Sequence, residues 1–290
     1  MWLCCGVCDD GPCEWLRAGF RCQERPMGAY HSADARPTAS PVAKRSEVDR
    51  SMPGYDPKRL VAASYDRIAD AYLRRIAVTR ASERERYTRR LFARVAPGSR
   101  VLDLGCGAGV PTTRRLAKRY LVTGVDVSPE QIRRAKGNVP GATFLTSDMT
   151  ACSFGAGTFA AVVAFYSIIH VPRNDQKALL GAIWSWLAPG GYFVGTLGAR
   201  DTPGDLEPDW LGAPMYWSAF GPDANRQMVV DVGFSPVSLR LETADEEDVP
   251  VTFLWVVARK GDRPKTAGAP SARPAGQDTA PLAGGRPPAR

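Results

Sequence analysis

The stretch Val101-Leu-Asp-Leu-Gly-Cys-Gly-Ala-Gly109 determines the fold class of this chain. Its apolar residues predict a short strand, and its glycines allow the backbone to approach a ligand before the next helix begins. A dinucleotide phosphate loop would need a further glycine three residues after Gly107, where Val110 stands. Asp103 places a carboxylate at the strand end, which would repel a pyrophosphate but suits a cofactor that carries an ammonium group.

Helical and extended patterns alternate on both sides of this stretch. The patterns predict helices over 57–76, 82–94, 110–119, 129–137, 174–187 and 223–232. They predict strands over 100–104, 121–125, 142–146, 160–165, 192–197, 236–242 and 251–258, with a turn at Pro189-Gly190-Gly191. Alternating strands and helices indicate an α/β protein with a mostly parallel sheet covered on both faces. The last two strands have no room for a helix between them, so we expect an antiparallel hairpin at the C-terminal edge.

Acidic residues stand at the ends of three successive predicted strands. Asp126 ends the second strand in Val122-Thr-Gly-Val-Asp-Val-Ser128, and Asp148 follows the third in Phe144-Leu-Thr-Ser-Asp-Met149. A carboxylate such as Asp126 can accept two hydrogen bonds from a diol. A single aspartate at a strand end is a weak signal, because it is often a turn former, but three together with the glycines form a strong one.

With these motifs and the later stretch Leu187-Ala-Pro-Gly-Gly191, residues 58–259 resemble the class I S-adenosylmethionine-dependent methyltransferases, of the small-molecule methyltransferase-domain type 11 or 25. The resemblance implies a Rossmann-like, doubly wound, seven-stranded sheet and S-adenosylmethionine as the cofactor. It implies that Asp103 faces the methionine end, Asp126 holds the ribose hydroxyls and Asp148 accepts from the adenine amino group. Further cofactor residues implied in this way are Tyr65, Tyr72, Gly105, Cys106, Gly107, Gly109, Val127, Met149 and Phe165.

The exit of the fourth strand, Ala164-Phe-Tyr-Ser-Ile-Ile-His170-Val-Pro172, should lie beside the transferred methyl group. His170 is a candidate general base, because its usual pKa suits proton transfer at neutral pH, and Tyr166 is a second catalytic candidate. His170 could instead cap the following helix or pack beneath the cofactor. The chain lacks the Asn/Asp-Pro-Pro-aromatic string of enzymes that methylate base amino groups. It also lacks the Pro-Cys nucleophile of pyrimidine methyltransferases, so we expect a small-molecule acceptor.

Two further segments are predicted to enclose the site. The helix containing Tyr65 and Tyr72 resembles the lid that many small-molecule members fold over the cofactor, although core packing is an alternative for Tyr72. Residues 198–222 form an insertion without clear periodicity, and such connectors are often binding loops. Its large side chains could contact a flat or apolar acceptor or form a satellite core; they are Trp210, Met215, Tyr216 and Trp217.

The 290 residues carry a net charge of +8, and half of the excess lies in residues 260–290. We expect residues 1–51 to be a disordered leader, 52–259 to be the catalytic domain and 260–290 to be a disordered Pro/Ala/Gly-rich tail. The leader holds five of the seven cysteines, but Cys5-x-x-Cys8 lacks a second pair, so no metal site is expected. Cys106 and Cys152 remain in the domain, as expected of a cytoplasmic enzyme.

The favoured function is methyl transfer to an oxygen, nitrogen or carbon atom of a small molecule, by a monomer or homodimer without nucleic-acid or membrane partners. One alternative is an RNA-binding or RNA-modifying protein on the same fold. It would use the arginines between positions 80 and 94, although interleaved glutamates favour a solvated helix face. A non-catalytic module that binds S-adenosylmethionine is the other alternative.

Overall fold

A computed structural model describes residues 46–47, 56–246 and 249–261. The helices are α1 Pro57–Arg67, α2 Ala69–Val78, α3 Ala81–Phe92, α4 Thr112–Ala117, α5 Pro129–Asn138, α6 Arg173–Trp186 and α7 Pro222–Asp231. The strands are β1 Ser46–Glu47, β2 Arg100–Leu104, β3 Leu121–Asp126, β4 Thr143–Thr146, β5 Phe159–Ala164, β6 Leu187–Gly198, β7 Thr202–Trp210, β8 Ala213–Ala219, β9 Phe234–Glu246 and β10 Val249–Lys260. A 3₁₀ turn, Ile168–His170, lies between β5 and α6.

Seven strands form the central sheet in the order β4-β3-β2-β5-β6-β10-β9. The strands from β2 to β6 are parallel to their neighbours, whereas β10 is antiparallel to both β6 and β9. This confirms the predicted Rossmann-like α/β fold with an antiparallel hairpin at its C-terminal edge, β9 being the edge strand itself. The chain leaves the sheet at β4 and returns beside β2 as β5. Ligands bind at such a reversal, beyond the carboxyl ends of the strands.

Apolar helix faces cover both sides of the sheet. The buried faces of β2 and β5 pack on one side against α6 and α7, for example against Leu180 and Val229. On the other side they pack against α3 and α4, through Tyr87 and Leu116. Tyr87 also stacks on Trp255 of β10, with 4.0 Å between the ring centroids. The Arg-rich helix α3 is therefore anchored in the core through its apolar face.

The helix predicted over 57–76 is in fact two helices, because the chain leaves the helical conformation at Ile68, with a ψ of 10°. Asp56 caps α1 by accepting hydrogen bonds from the backbone N–H groups of Lys58, at 2.9 Å, and Arg59, at 3.4 Å. Ile68 is buried beside Val61. The apolar spacing cannot reveal the break, because Ile68 keeps its buried position while its backbone turns.

The insertion predicted over 198–222 is an antiparallel hairpin of β7 and β8 and not an aperiodic connector. Strand β7 contains two prolines and three acidic residues, so it lacks the alternation of apolar residues that marks a strand in sequence. The strand forms through its backbone pairing with β8, for example of Leu206 with Tyr216, and not through a local sequence pattern. Met215 of β8 packs against Val61 of α1.

The turn predicted at Pro189-Gly190-Gly191 is a bulge inside β6. Phe159 of β5 pairs with Leu187, and Ala161 pairs with Tyr192, so four residues of β6 oppose one residue of β5. Gly190 has a φ of +73°, which glycine adopts without steric cost.

Two predicted boundaries need correction. Ser46 and Glu47, expected in the disordered leader, form β1 and pair with β7. Strand β10 extends through Lys260, one residue into the expected tail. The structure does not describe the other residues of the expected leader, among them Cys5 and Cys8, or the tail beyond residue 261.

Candidate active site

Asp103 is an almost fully buried carboxylate in β2, two residues before the first glycine of the loop. The Thr113 hydroxyl donates a hydrogen bond to its Oδ2 atom at 2.6 Å. Burial raises the pKa of Asp103 to about 6, and the hydrogen bond opposes this only in part. A cationic ligand would therefore stabilise the ionised form.

Asp126, at the end of β3, is held by two backbone donors. The N–H of Gly107 donates to Oδ2 at 2.8 Å, and the N–H of Ser128 donates to Oδ1 at 3.0 Å. Burial raises the pKa of Asp126 to about 6 in spite of these hydrogen bonds. The contacts fix the carboxylate beside the glycine loop and leave each oxygen with capacity for a second donor.

Asp148 follows β4 and is tied to the N-terminal helix α1. Thr150 donates to it from its backbone N–H at 2.9 Å and from its hydroxyl at 2.6 Å, and the Lys58 ammonium lies 3.0 Å from Oδ2. Burial raises the pKa of Asp148, but these hydrogen bonds and the Lys58 charge outweigh it and lower the pKa below its usual value. Lys58 also pairs with Asp175 of α6 at 2.9 Å. The sequence motifs gave no indication of Lys58, because it belongs to no motif.

A first cavity, with about 650 Å³ of empty space that includes open solvent, lies at the carboxyl ends of these strands. The predicted site residues that line it are Tyr65, Tyr72, Gly105, Gly107, Asp126, Val127, Asp148, Met149, Phe165, Tyr166 and His170. A neighbouring cavity is lined by Asp103 and Cys106 and shares Tyr72, Gly105, Gly107 and Phe165 with the first. The structure thus brings together most of the residues that the sequence singled out.

Two glycines of the loop have different tasks. A Cβ on Gly105 would lie 2.2 Å from the Cβ of Ser167, and its φ is +73°, so only glycine fits there. Gly109 lies away from these cavities, packed against helix α5, where a Cβ would lie 3.1 Å from the Val139 side chain. Gly109 therefore allows close helix packing and is not a lining residue.

The lid helix α1 is fastened to the sheet at a second point by Asp66. Its Oδ1 atom accepts from the Ser128 hydroxyl and from the backbone N–H of Glu130 at 3.0 Å. Tyr65 and Tyr72 face the cavity edge to face, with centroids 5.0 Å apart. The segment that the sequence predicts to be a lid therefore contributes two tyrosines to the cavity wall.

His170 joins the lid to the β7–β8 hairpin. Its Nδ1 atom lies 2.9 Å from the carbonyl oxygen of Tyr216, which can only accept, so Nδ1 carries the proton. Its Nε2 atom lies 2.9 Å from the Tyr65 hydroxyl and therefore accepts from it. Burial lowers the pKa of His170 to about 4, so the ring is neutral at physiological pH. His170 does not cap α6, whose N-cap residue is Pro172.

Tyr166 lies between the two sides of the site in a left-handed conformation, with a φ of +57°. Its backbone N–H donates to the Thr196 hydroxyl at 2.6 Å, which holds this turn. Its own hydroxyl is buried and has no hydrogen-bond partner among the described residues. Burial raises the pKa of Tyr166 well above its usual range, against the effect of Arg84 and Arg80.

The aromatic residues of the hairpin divide into two groups. Trp210 and Trp217 line a further cavity, and the Trp217 ring centroid lies 4.6 Å from that of His170. Met215 and Tyr216 are buried in the cluster formed with α1, so the satellite-core interpretation holds for them.

The arginines between positions 80 and 94 differ in their surroundings. Arg80, immediately before α3, and Arg84 are buried. Arg86 and Arg89 are exposed but pair with Glu242 and Glu85. Two of these cations are therefore withdrawn from the surface, and two more are paired with glutamates.

Gln131 of α5 gives an independent sign that a ligand belongs beside the glycine loop. Both of its side-chain amide atoms are buried and have no hydrogen-bond partner within the described part of the chain. A Cβ on Gly107 would lie 3.8 Å from the Gln131 Oε1 atom. Buried polar groups are normally satisfied, so a ligand with hydroxyl or amine groups fits this position.

Comparison with known proteins agrees with this geometry. Residues 101–191, from the glycine loop strand to the start of β6, match the family of methyltransferase domains. Over these residues the chain is similar to methyltransferase domains.

Relatives of this methyltransferase domain include two Synechocystis proteins. An uncharacterised methyltransferase is 33% identical over 100 residues, 34% of this chain and 47% of its own length. A 2-methyl-6-phytyl-1,4-hydroquinone methyltransferase is 38% identical over 103 residues, 34% of this chain and 31% of its own length. The chain thus spans less than half the length of these curated relatives.

A solved structure shares the fold over a larger part of the chain. The 1,6-didemethyltoxoflavin N1-methyltransferase of Burkholderia thailandensis, bound to 1,6-didemethyltoxoflavin and S-adenosylhomocysteine, superimposes with a TM-score of 0.54. The superposition covers 75% of this chain and 99% of that one at 20% identity. Within the described residues of this chain, no helix is long and apolar enough to cross a membrane.

Proposed function

We propose that the protein transfers a methyl group from S-adenosylmethionine to a small-molecule acceptor. The observation that carries the proposal is the lining of the first cavity. It brings Asp126, Asp148 and the glycine loop together with the hydrogen-bonded pair Tyr65 and His170. In this site Asp103 would hold the methionine end, Asp126 the ribose hydroxyls and Asp148 the adenine amino group. Met149 and Val127 would lie against the flat base.

When bound, the cofactor supplies an electrophilic methyl group on a sulfonium, and in-line attack by the acceptor transfers that methyl and leaves the electron pair on sulfur. The protein's task is then to align the acceptor, exclude water and receive its proton. Helix α1 would help to align the acceptor and to exclude water, because Lys58 and Asp66 hold this helix across the cavity.

The proton of the acceptor would be received by the Tyr65–His170 pair. In the free protein the Tyr65 O–H already donates to His170 Nε2, so the imidazole lone pair points at the phenol. An acceptor that hydrogen-bonds to the Tyr65 oxygen could pass its proton to that oxygen while the phenol proton moves to Nε2. His170 then acts through Tyr65. The Tyr216 carbonyl, which accepts from Nδ1, offsets only part of the burial that lowers the His170 pKa to about 4, so the imidazolium would form only transiently.

A small acceptor is favoured over a macromolecule because helix α1, held by Lys58 and Asp66, covers the residues that line the first cavity. The relatives named above include enzymes whose names specify small substrates, a hydroquinone and a toxoflavin precursor. Arg86 and Arg89 are paired with glutamates, which weakens the RNA alternative.

Methyl transfer is tested with S-adenosylmethionine labelled in its methyl group. The purified protein is incubated separately with an ultrafiltered metabolite extract, total RNA and a protein extract, and the label in each is counted. We expect label in the metabolite extract. Label confined to RNA or protein would contradict the small-molecule assignment, and no label in any of them would contradict methyl transfer itself.

A further inference from the structure

A second cavity, of about 420 Å³, adjoins the first on the far side of the lid tyrosines. Four residues line both cavities, namely Tyr65, Tyr72, Tyr166 and His170. The walls of the second cavity come from α2, the α2–α3 junction, the β7–β8 hairpin and the β9–β10 hairpin. The second cavity is therefore placed to hold an acceptor whose reacting atom meets Tyr65 and His170.

The principal charged group in this cavity is Arg80, whose side chain is only 3% exposed. Its Nε atom donates to Glu246 of β9, and its Nη2 atom donates to the carbonyl oxygen of Val251 at 2.6 Å. Its Nη1 atom is buried and has no hydrogen-bond partner in the described ranges, and Oε1 of Glu83 lies 4.0 Å from it. Leaving a buried guanidinium N–H unpaired is unfavourable, so Nη1 is poised for an additional acceptor.

The charge of the cavity wall also favours an anionic ligand. The ionic side chains that line it are three arginines, Arg75, Arg80 and Arg84, and one glutamate, Glu246. Arg75 and Arg80 share Glu246 between them, since Arg75 donates to its Oε2 at 2.9 Å while Arg80 binds Oε1. Among the described residues, and with Glu83 included, three arginines stand against two glutamates. A buried cation such as Arg80 attracts an anion more strongly than an exposed arginine would.

The rest of the wall is aromatic. Trp210, Trp217 and Phe253 line the cavity, and the Arg80 guanidinium lies 4.8 Å from the Phe253 centroid. The Tyr166 hydroxyl, buried and without a partner in the described part of the chain, supplies a second polar group at the border of the two cavities. The cavity thus combines flat apolar walls with one cationic donor.

We propose that the methyl acceptor is a small, flat molecule with a carboxylate that binds Arg80 Nη1, and that it is net negative at neutral pH. The inference rests on the proposed function, because it concerns the acceptor of that reaction. A carboxylate is preferred to a phosphate because Nε and Nη2 of Arg80 already donate to Glu246 and Val251, and because Glu246 and Glu83 would repel a dianion more strongly than a monoanion. Arg75 and Glu246 are positioning residues that hold the guanidinium in place.

The proposal is tested by separating the ultrafiltered metabolite extract on an anion-exchange resin at neutral pH. Each pool is offered to the protein with methyl-labelled S-adenosylmethionine. We expect label in the retained, anionic pool, and we expect it to persist after that pool is treated with a phosphatase. Transfer to the unretained pool, or loss of transfer after phosphatase treatment, would overturn the carboxylate assignment while leaving the methyltransferase function intact. Failure to label either pool would contradict the function itself.

Variants locate the effect at Arg80. With the active pool, Arg80→Gln should raise the amount needed for half-maximal rate by about 10- to 100-fold, the usual effect of losing a charge-assisted hydrogen bond. The affinity for S-adenosylmethionine should change little, and Arg80→Lys should recover part of the loss. The matched control is Arg89→Gln, since Arg89 is 72% exposed and pairs with Glu85 outside the cavity. Unchanged use of the pool by a folded Arg80→Gln protein would refute the role of Arg80, and the fractionation result stands even if that variant does not fold.

Discussion

At the scale of single residues, the hydrogen bond between Tyr65 and His170 distinguishes two ways of removing the acceptor's proton. If His170 acts through the phenol, then Tyr65→Phe should lower kcat by about 10²-fold, the lower end of general-base effects, and His170→Ala should do the same. The affinity for S-adenosylmethionine, measured by calorimetry, should be nearly unchanged in both variants.

The double variant provides the control for this relay. Because both side chains serve one proton transfer, Tyr65→Phe with His170→Ala should be no slower than either single variant. A Tyr65→Phe enzyme of normal kcat would show that His170 acts directly. Normal kcat in His170→Ala would remove the base role altogether.

The two buried carboxylates predict how cofactor affinity depends on pH. Burial raises the pKa of Asp103 and of Asp126 to about 6 in the free protein, so both become protonated as the pH falls through that value. A protonated Asp103 cannot pair with an ammonium group, and a protonated Asp126 loses acceptor capacity. Affinity for S-adenosylmethionine should therefore be constant above about pH 7 and fall by up to about 10-fold per pH unit for each carboxylate below 6.

Calorimetric titrations at a series of pH values measure this dependence. In Asp126→Asn only Asp103 still titrates, so the affinity should fall less steeply with decreasing pH than in the wild-type protein. Asp223→Asn changes a surface side chain that is 96% exposed and should leave the pH dependence unchanged. Equal affinity at pH 5 and pH 7 would mean that neither carboxylate needs to be ionised for binding.

At the scale of elements, the lid depends on contacts that join α1 to the sheet and to α6. Lys58→Met would remove the ion pairs with Asp148 and Asp175, which are only partly exposed. We expect a loss of about 1 kcal/mol in unfolding free energy, near the upper range for partly exposed pairs, and faster amide exchange in residues 57–78. Lys177→Met, which removes an exposed pair with Asp231, is the matched control. Equal exchange rates in both variants would show that Lys58 does not hold the lid.

The elements also show what the sequence could and could not predict. The parallel strands and the helices between them follow from apolar runs and a 3.6-residue period, and they were predicted to within a few residues. The β7–β8 hairpin was missed because Pro203 and Pro208 conceal the strand, and its stability comes from β8 and α1. The break at Ile68 was missed because a buried residue keeps its spacing through a turn.

The site residues divide in the same way. Asp126 and His170 lie in recognisable stretches beside predicted strands, so the sequence indicated them. Lys58, Gln131 and Arg80 belong to no motif. Only tertiary packing brings Lys58 and Arg80 to the cavities and Gln131 beside Gly107. What these residues share is visible only in the folded structure. Arg80 and Gln131 have buried polar atoms without a partner among the described residues, and Lys58 pairs with a residue distant in sequence.

At the scale of the whole molecule, the net charge of +8 is not by itself an argument for a nucleic-acid partner. In α3, Arg84 is buried, and Arg86 and Arg89 pair with glutamates. The rate of methyl transfer at subsaturating acceptor should therefore change less than about threefold between about 50 and 200 mM salt, whereas phosphate-led binding would weaken by orders of magnitude. Rates measured across this range check the expectation, and a steep decline would revive the RNA alternative.

We expect the strand-end carboxylates and the glycine loop to form a site for S-adenosylmethionine. Calorimetric titration of the intact protein with S-adenosylmethionine measures this binding, with Asp126→Asn as the site variant and Asp223→Asn as the control. We expect one binding site, an affinity about 10- to 100-fold weaker in Asp126→Asn, and an unchanged affinity in Asp223→Asn. Absence of binding to the wild-type protein, or equal affinity in a folded Asp126→Asn variant, would contradict it.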